Sequence, residues 1–127
     1  MMDGAMTTPS ANTARLQASL DNCETRSEPF SHWILDDVFT DDVVDAIRAL
    51  PFDAPRVEYN DGRRAANNDT RSYFDPGRRA EFAVCQEISD GFQNPETVKR
   101  IEDMCGIDLS GSYLRLEYAQ DRDGFWL

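Results

Sequence analysis

The sequence predicts an α+β fold, and three observations carry that expectation. Three stretches begin with a capping residue and continue with apolar side chains at helical spacing, several short runs alternate like strands, and no segment repeats another. The resulting order is strand, helix, strands, two helices, strands. Such an order suits helices gathered on one side of an antiparallel sheet, not the regular strand-helix alternation of a parallel one.

Residues 1–28 are rich in Ser, Thr, Asn, Asp and Ala, with Leu16 and Leu20 as isolated aliphatic anchors. So few apolar groups cannot offset the entropy of ordering the segment, and the expectation is a disordered or weakly helical tail, with at most a short helix around Ala14 to Leu20. The compact portion, residues 29–127, is expected to open with a strand over Phe30 to Phe39, where aromatic and branched residues end at the paired Asp36 and Asp37. Thr40 then caps a helix whose first turn carries Asp41 and Asp42, and Pro51 closes it. Val43, Ile47 and Leu50 form its apolar face.

A strand or loop at Arg56 to Tyr59 and a turn at Asn60-Asp-Gly62 follow, and then Thr70 to Phe74 alternates, with Arg71 and Tyr73 on one face and Ser72 and Phe74 on the other. Asp75-Pro76 is a cap with proline at the first helical position, and Phe82, Cys85, Ile88 and Phe92 continue at helical spacing. Asn94 and Pro95 repeat the device for a helix lined by Val98, Ile101 and Cys105, which Gly106 stops. Leu114, Leu116 and Tyr118 line one face of a further strand, and Phe125-Trp-Leu127 begins another.

At 127 residues, 40% of them hydrophobic, the chain has the length of one small domain. Its 13 basic and 24 acidic residues give a net charge of -11. That balance opposes nucleic acid or an anionic membrane as the main partner, because both demand clustered Lys and Arg. No secretory leader is legible at the N-terminus, and no apolar run approaches the roughly 18 residues of a membrane span. Cys23, Cys85 and Cys105 are widely spaced and odd in number, which reads as reduced thiols in a cytoplasmic protein. Asn68-Asp-Thr70 matches a glycosylation acceptor only formally.

Negative findings narrow the chemistry. Asp121-Arg-Asp-Gly124 fails as a calcium loop because Ala119 stands where an oxygen ligand is needed, and the Asp36, Asp37, Asp41, Asp42 and Asp45 group reads as solvated cap charges. No phosphate loop is present, and a single histidine, His32, supports neither a Ser-His-Asp nor a Cys-His arrangement.

Leu114-Arg-Leu-Glu-Tyr118, the polar loop after it and Gly124-Phe-Trp-Leu127 together resemble the segment that precedes the His-x-Asp iron motif of 2-oxoglutarate and Fe(II)-dependent oxygenases, particularly the prolyl-hydroxylase-like ones. The Asp36-Asp-Val-Phe39 entry and the Asn68 to Phe74 strand are similar to earlier parts of that family. The resemblance implies the N-terminal part of a double-stranded β-helix, a jelly-roll or cupin-like barrel left incomplete, with supporting helices and with the His-x-Asp motif a few residues past Leu127. It further implies Fe(II) and 2-oxoglutarate as cofactors of the full-length parent, a small-molecule or peptidyl substrate, and none of the metal ligands within this chain. Tyr118 is then the hydroxyl that bonds 2-oxoglutarate, with Trp126 walling the cofactor pocket. Arg71 and Tyr73 border the substrate.

Each assignment has a plainer counterpart in the residues themselves. Tyr118 also completes the Leu114, Leu116, Tyr118 core face, Trp126 or Phe125 also suits plain core, and Arg71 also suits a surface ion pair. Arg115 and Glu117 share a face that fits solvent or a neighbouring strand. Strands left without their barrel partners imply self-association. The alternative reading is a complete, non-catalytic α+β interaction module that binds a partner strand at an open sheet edge.

Overall fold

The structure is a computed structural model and describes residues 8–52 and 71–120. Among these described residues, five helices and two separate two-stranded antiparallel sheets make an α+β arrangement in which neither sheet closes on itself. In chain order these are α1 (Ala11–Asp21), β1 (Glu24–Arg26), β2 (His32–Ile34), α2 (Asp41–Arg48), β3 (Arg71–Tyr73), α3 (Pro76–Glu81), α4 (Ala83–Gln93), α5 (Pro95–Cys105) and β4 (Glu117–Ala119). The expected Arg56 to Tyr59 element and the Asn60-Asp-Gly62 turn lie outside the described residues, as do Phe125 and Trp126.

The N-terminal segment departs furthest from expectation. Instead of a tail, residues 11–21 form a full helix that packs against α4 and α5. Ser10 caps it by accepting the Thr13 N–H on its hydroxyl, and Leu16 is only 1% exposed. The residues that bury beside Leu16 and Leu20 are Asn12, Thr13 and Ser19, which a hydrophobicity pattern assigns to solvent. Hydrogen bonds replace water for most of these polar groups, although Asn12 Nδ2 is buried without a partner. The Asn12 Oδ1 accepts the Thr40 N–H at 3.1 Å, the Ser19 hydroxyl donates to the Asp36 carbonyl at 2.7 Å, and the Gln17 Nε2 donates to Asn94 Oδ1 and Thr97 Oγ1 at 3.2 and 3.1 Å. Gly91 on α4 permits the close approach, since a Cβ there would stand 3.3 Å from Thr13 Oγ1.

Two further elements are shorter than their patterns suggest. The Phe30 to Phe39 strand contracts to β2, whose partner β1 comes from the expected tail, in the register Glu24↔Ile34, Thr25↔Trp33, Arg26↔His32. Asp37 ends the run with a left-handed φ of 54°, a conformation that aspartate tolerates better than most residues. The helix after Pro76 breaks at Phe82, which is extended at φ -119° and ψ 114°, so the apolar spacing from Phe82 to Phe92 belongs to α4 and not to α3. Phe82 gains an edge-on contact with Phe52 at 5.6 Å between ring centres.

Other local signals act as the sequence expects. Asp75 caps α3 through the Arg78 N–H, Asn94 caps α5 through the Glu96 N–H, and Gly106 ends α5 at a φ of 67°. Thr40 stands at the N-cap of α2 without a side-chain cap bond, although its hydroxyl hydrogen-bonds the Asp42 carboxylate and so holds that group below the usual carboxylate range. Val43, Leu50, Phe74, Cys85 and Ile88 form the core between α2, α4 and one face of the β3–β4 pair, and Phe39, Ile47, Phe52, Phe82, Phe92, Leu116 and Tyr118 pack around it.

The three thiols differ in setting. Cys85 is fully buried, and burial pushes its thiol up, whereas Cys23 and Cys105 are half-buried. Native alkylation is therefore expected to modify Cys23 and Cys105 well before Cys85, because the thiolate is the reactive form. Peptide mass mapping over a time course checks the order; Cys85 reacting as fast as the others would contradict it. The stability gained by keeping Cys85 protonated is present below the ordinary thiol pKa and is lost as pH rises through the elevated value.

Candidate functional site

The candidate site is built on β3 and β4, two strands about 45 residues apart in the chain that pair as Arg71↔Ala119, Ser72↔Tyr118 and Tyr73↔Glu117. A further bond from the Phe74 N–H to the Leu116 carbonyl at 3.0 Å continues the same register. Strand alternation then sorts the side chains. Phe74, Leu116 and Tyr118 meet the helices, while Tyr73, Arg115 and Glu117 belong to the opposite face. Among the described residues the sheet consists of β3 and β4 alone.

The predicted residues are thus separated. The Tyr118 ring is half-buried and meets Phe52 edge-on, with centres 5.2 Å apart and planes at 89°. Phe52 is further held by the Arg78 guanidinium, 4.0 Å from its ring centre, and by Gln120, whose Nε2 donates to the Phe52 carbonyl at 3.0 Å. Tyr73, by contrast, is 44% exposed on the other side of the pair. Arg71 heads β3 two residues before it, and Trp126 lies outside the described residues.

Arg115 and Glu117, which the predicted set leaves out, join Tyr73. The Arg115 Nη2 lies 3.1 Å from Glu117 Oε1, and its guanidinium carbon is 5.6 Å from the centre of the Tyr73 ring. The parity of Arg115 and Glu117 along their strand is readable in sequence. Their closeness to Tyr73 is not, because it depends on a register between distant segments.

Iron does not fit the residues present. A two-histidine, one-carboxylate site needs two imidazoles, and this chain has one histidine. His32 stands on β2, far in topology from β3–β4, with its Nδ1 2.8 Å from the Phe30 carbonyl oxygen. Among the described residues no three His, Cys, Asp or Glu side chains form a group that could hold a metal ion. Among the same residues no helix is long and apolar enough to cross a membrane.

Comparison with protein-family models, with curated proteins and with solved structures finds no match to this chain.

Proposed function

We propose that this chain is the N-terminal part of a 2-oxoglutarate and Fe(II)-dependent oxygenase that hydroxylates a small molecule or a peptidyl residue in the cytoplasm. The observation that carries the reading is the one-sided sheet: β3 and β4 pair across a long sequence separation, helices cover one face, and the other face presents Tyr73 and Arg115. A barrel wall of the double-stranded β-helix type begins in this way, with helices outside and a polar interior face. The resemblance of Leu114 to Leu127 to the strand and loop before a His-x-Asp motif supplies the chemistry. In this reading Fe(II) would support hydroxylation coupled to 2-oxoglutarate decarboxylation, and its ligands come from downstream sequence.

Within the chain, Arg71 with Tyr73 is the proposed border of the substrate opening and Trp126 a wall of the 2-oxoglutarate pocket; the resemblance also makes Tyr118 the hydroxyl donor to 2-oxoglutarate, although its ring lies on the helix-facing side of β4, opposite Tyr73. In this reading further strands complete the barrel beside β3 and β4, and an edge left uncovered invites self-association.

The coding DNA downstream of Leu127 tests the reading. A His-x-Asp pair within a few codons is expected. A stop codon directly after Leu127 would overturn it and favour the interaction module, with a partner strand added to the edge of β3 or β4.

A further inference from the structure

We propose that Arg115 is the carboxylate-binding residue of the open sheet face, so that the substrate carries a carboxylate; the assignment rests on the function proposed above. Two contacts restrain the guanidinium, one from Nη2 to Glu117 Oε1 at 3.1 Å and one to the Tyr73 ring at 5.6 Å from its centre. The Arg115 side chain is nevertheless 72% exposed. A guanidinium has five N–H donors, and among the described residues the one carboxylate beside this largely exposed group is Glu117, met through Nη2. Arg26 shows the contrasting case: its Nε and Nη2 engage both oxygens of Glu24, at 3.0 and 3.1 Å, which fills one edge of the fork.

Position adds to geometry. Arg115 leads into β4, on the face of the pair away from the helices, and its partner Tyr73 belongs to the strand alongside. A planar cation held in place, largely exposed and with an aromatic plate beside it, suits bidentate recognition of a carboxylate whose carbon skeleton rests on Tyr73. A lysine at this place would bring charge without the fork.

The test follows the Arg115 and Arg26 Nε resonances by NMR in the whole chain during titration with N-acetylalanine and, separately, N-acetylalaninamide. The acid is expected to shift Arg115 saturably while Arg26 stays still, and the amide to shift neither. Arg115→Lys should weaken the acid roughly tenfold, followed for the variant by the Tyr73 and Glu117 backbone amides, because a charged hydrogen-bond pair is lost while the charge remains. Equal responses to acid and amide, a parallel drift of Arg26 and Arg115, or unchanged affinity in Arg115→Lys would each overturn the assignment. A parallel titration with 2-oxoglutarate separates the two sources of a carboxylate. Weaker binding than N-acetylalanine supports a substrate role, and equal or tighter binding gives Arg115 to the cosubstrate and overturns it. The oxygenase reading stands or falls separately, on the downstream coding sequence.

Discussion

Leu16→Ala is expected to lower the free energy of unfolding by about 2–5 kcal/mol, the usual cost of emptying a well-packed leucine site. Leu16 is 1% exposed, and a Cβ on Gly91 would stand 3.6 Å from its Cδ2 and 3.3 Å from Thr13 Oγ1, so α1 and α4 approach closely here. The helices on either side are anchored by the Gln17 bonds to Asn94 and Thr97 and by the Arg100 Nε to Asp21 Oδ1 pair at 3.0 Å, which limits how far the cavity can collapse. Against a total stability of roughly 5–15 kcal/mol for a typical domain, such a loss is large. Urea unfolding with an unchanged slope would show it as a lowered midpoint. Arg15→Ala, one residue earlier on the exposed side of α1, should change stability by less than about 0.5 kcal/mol. If Leu16→Ala were equally silent, residues 11–21 would be the weakly helical tail that composition suggests, and the packing of α1 on α4 would be wrong.

The 2-oxoglutarate contact that the resemblance assigns to Tyr118 predicts that Tyr118→Phe, made in a protein that also carries the downstream segment, weakens 2-oxoglutarate binding about ten- to more than a hundred-fold. The change deletes one hydrogen bond to a charged carboxylate, worth about 1.5–3 kcal/mol. The fold should be unaffected, because the edge-on contact with Phe52 belongs to the ring and survives the loss of the hydroxyl. Arg71→Ala in the same protein should weaken the primary substrate and leave 2-oxoglutarate untouched, since Arg71 belongs to the strand proposed to border the substrate opening. Equilibrium titration of each ligand, with thermal unfolding as control, separates the outcomes. Unchanged 2-oxoglutarate affinity in Tyr118→Phe would return Tyr118 to a core role, which its position on the helix-facing side of β4 already fills.

Local chemistry was legible wherever a few adjacent residues suffice. Asp75 and Asn94 announce their helices because a short polar side chain can reach an unsatisfied N–H one turn on, and Gly106 ends α5 because a left-handed φ carries little cost without a Cβ. The apolar faces of α2 and α4 follow from helical periodicity, and the parity of Arg115, Glu117 and Tyr118 follows from strand alternation. Tertiary structure alone decided the rest. It brought α1 into the fold on buried Asn12, Thr13 and Ser19; the partners of Asn12 and Ser19 lie elsewhere in the chain and leave no mark in a hydrophobicity pattern. It broke the helix at Phe82, next to an aromatic contact with Phe52 thirty residues away. It also set the β3–β4 register, which puts Tyr118 against the helices and Tyr73 with Arg115 on the opposite face. Periodicity fixes which residues of one strand share a side; only pairing and packing determine which side faces the core.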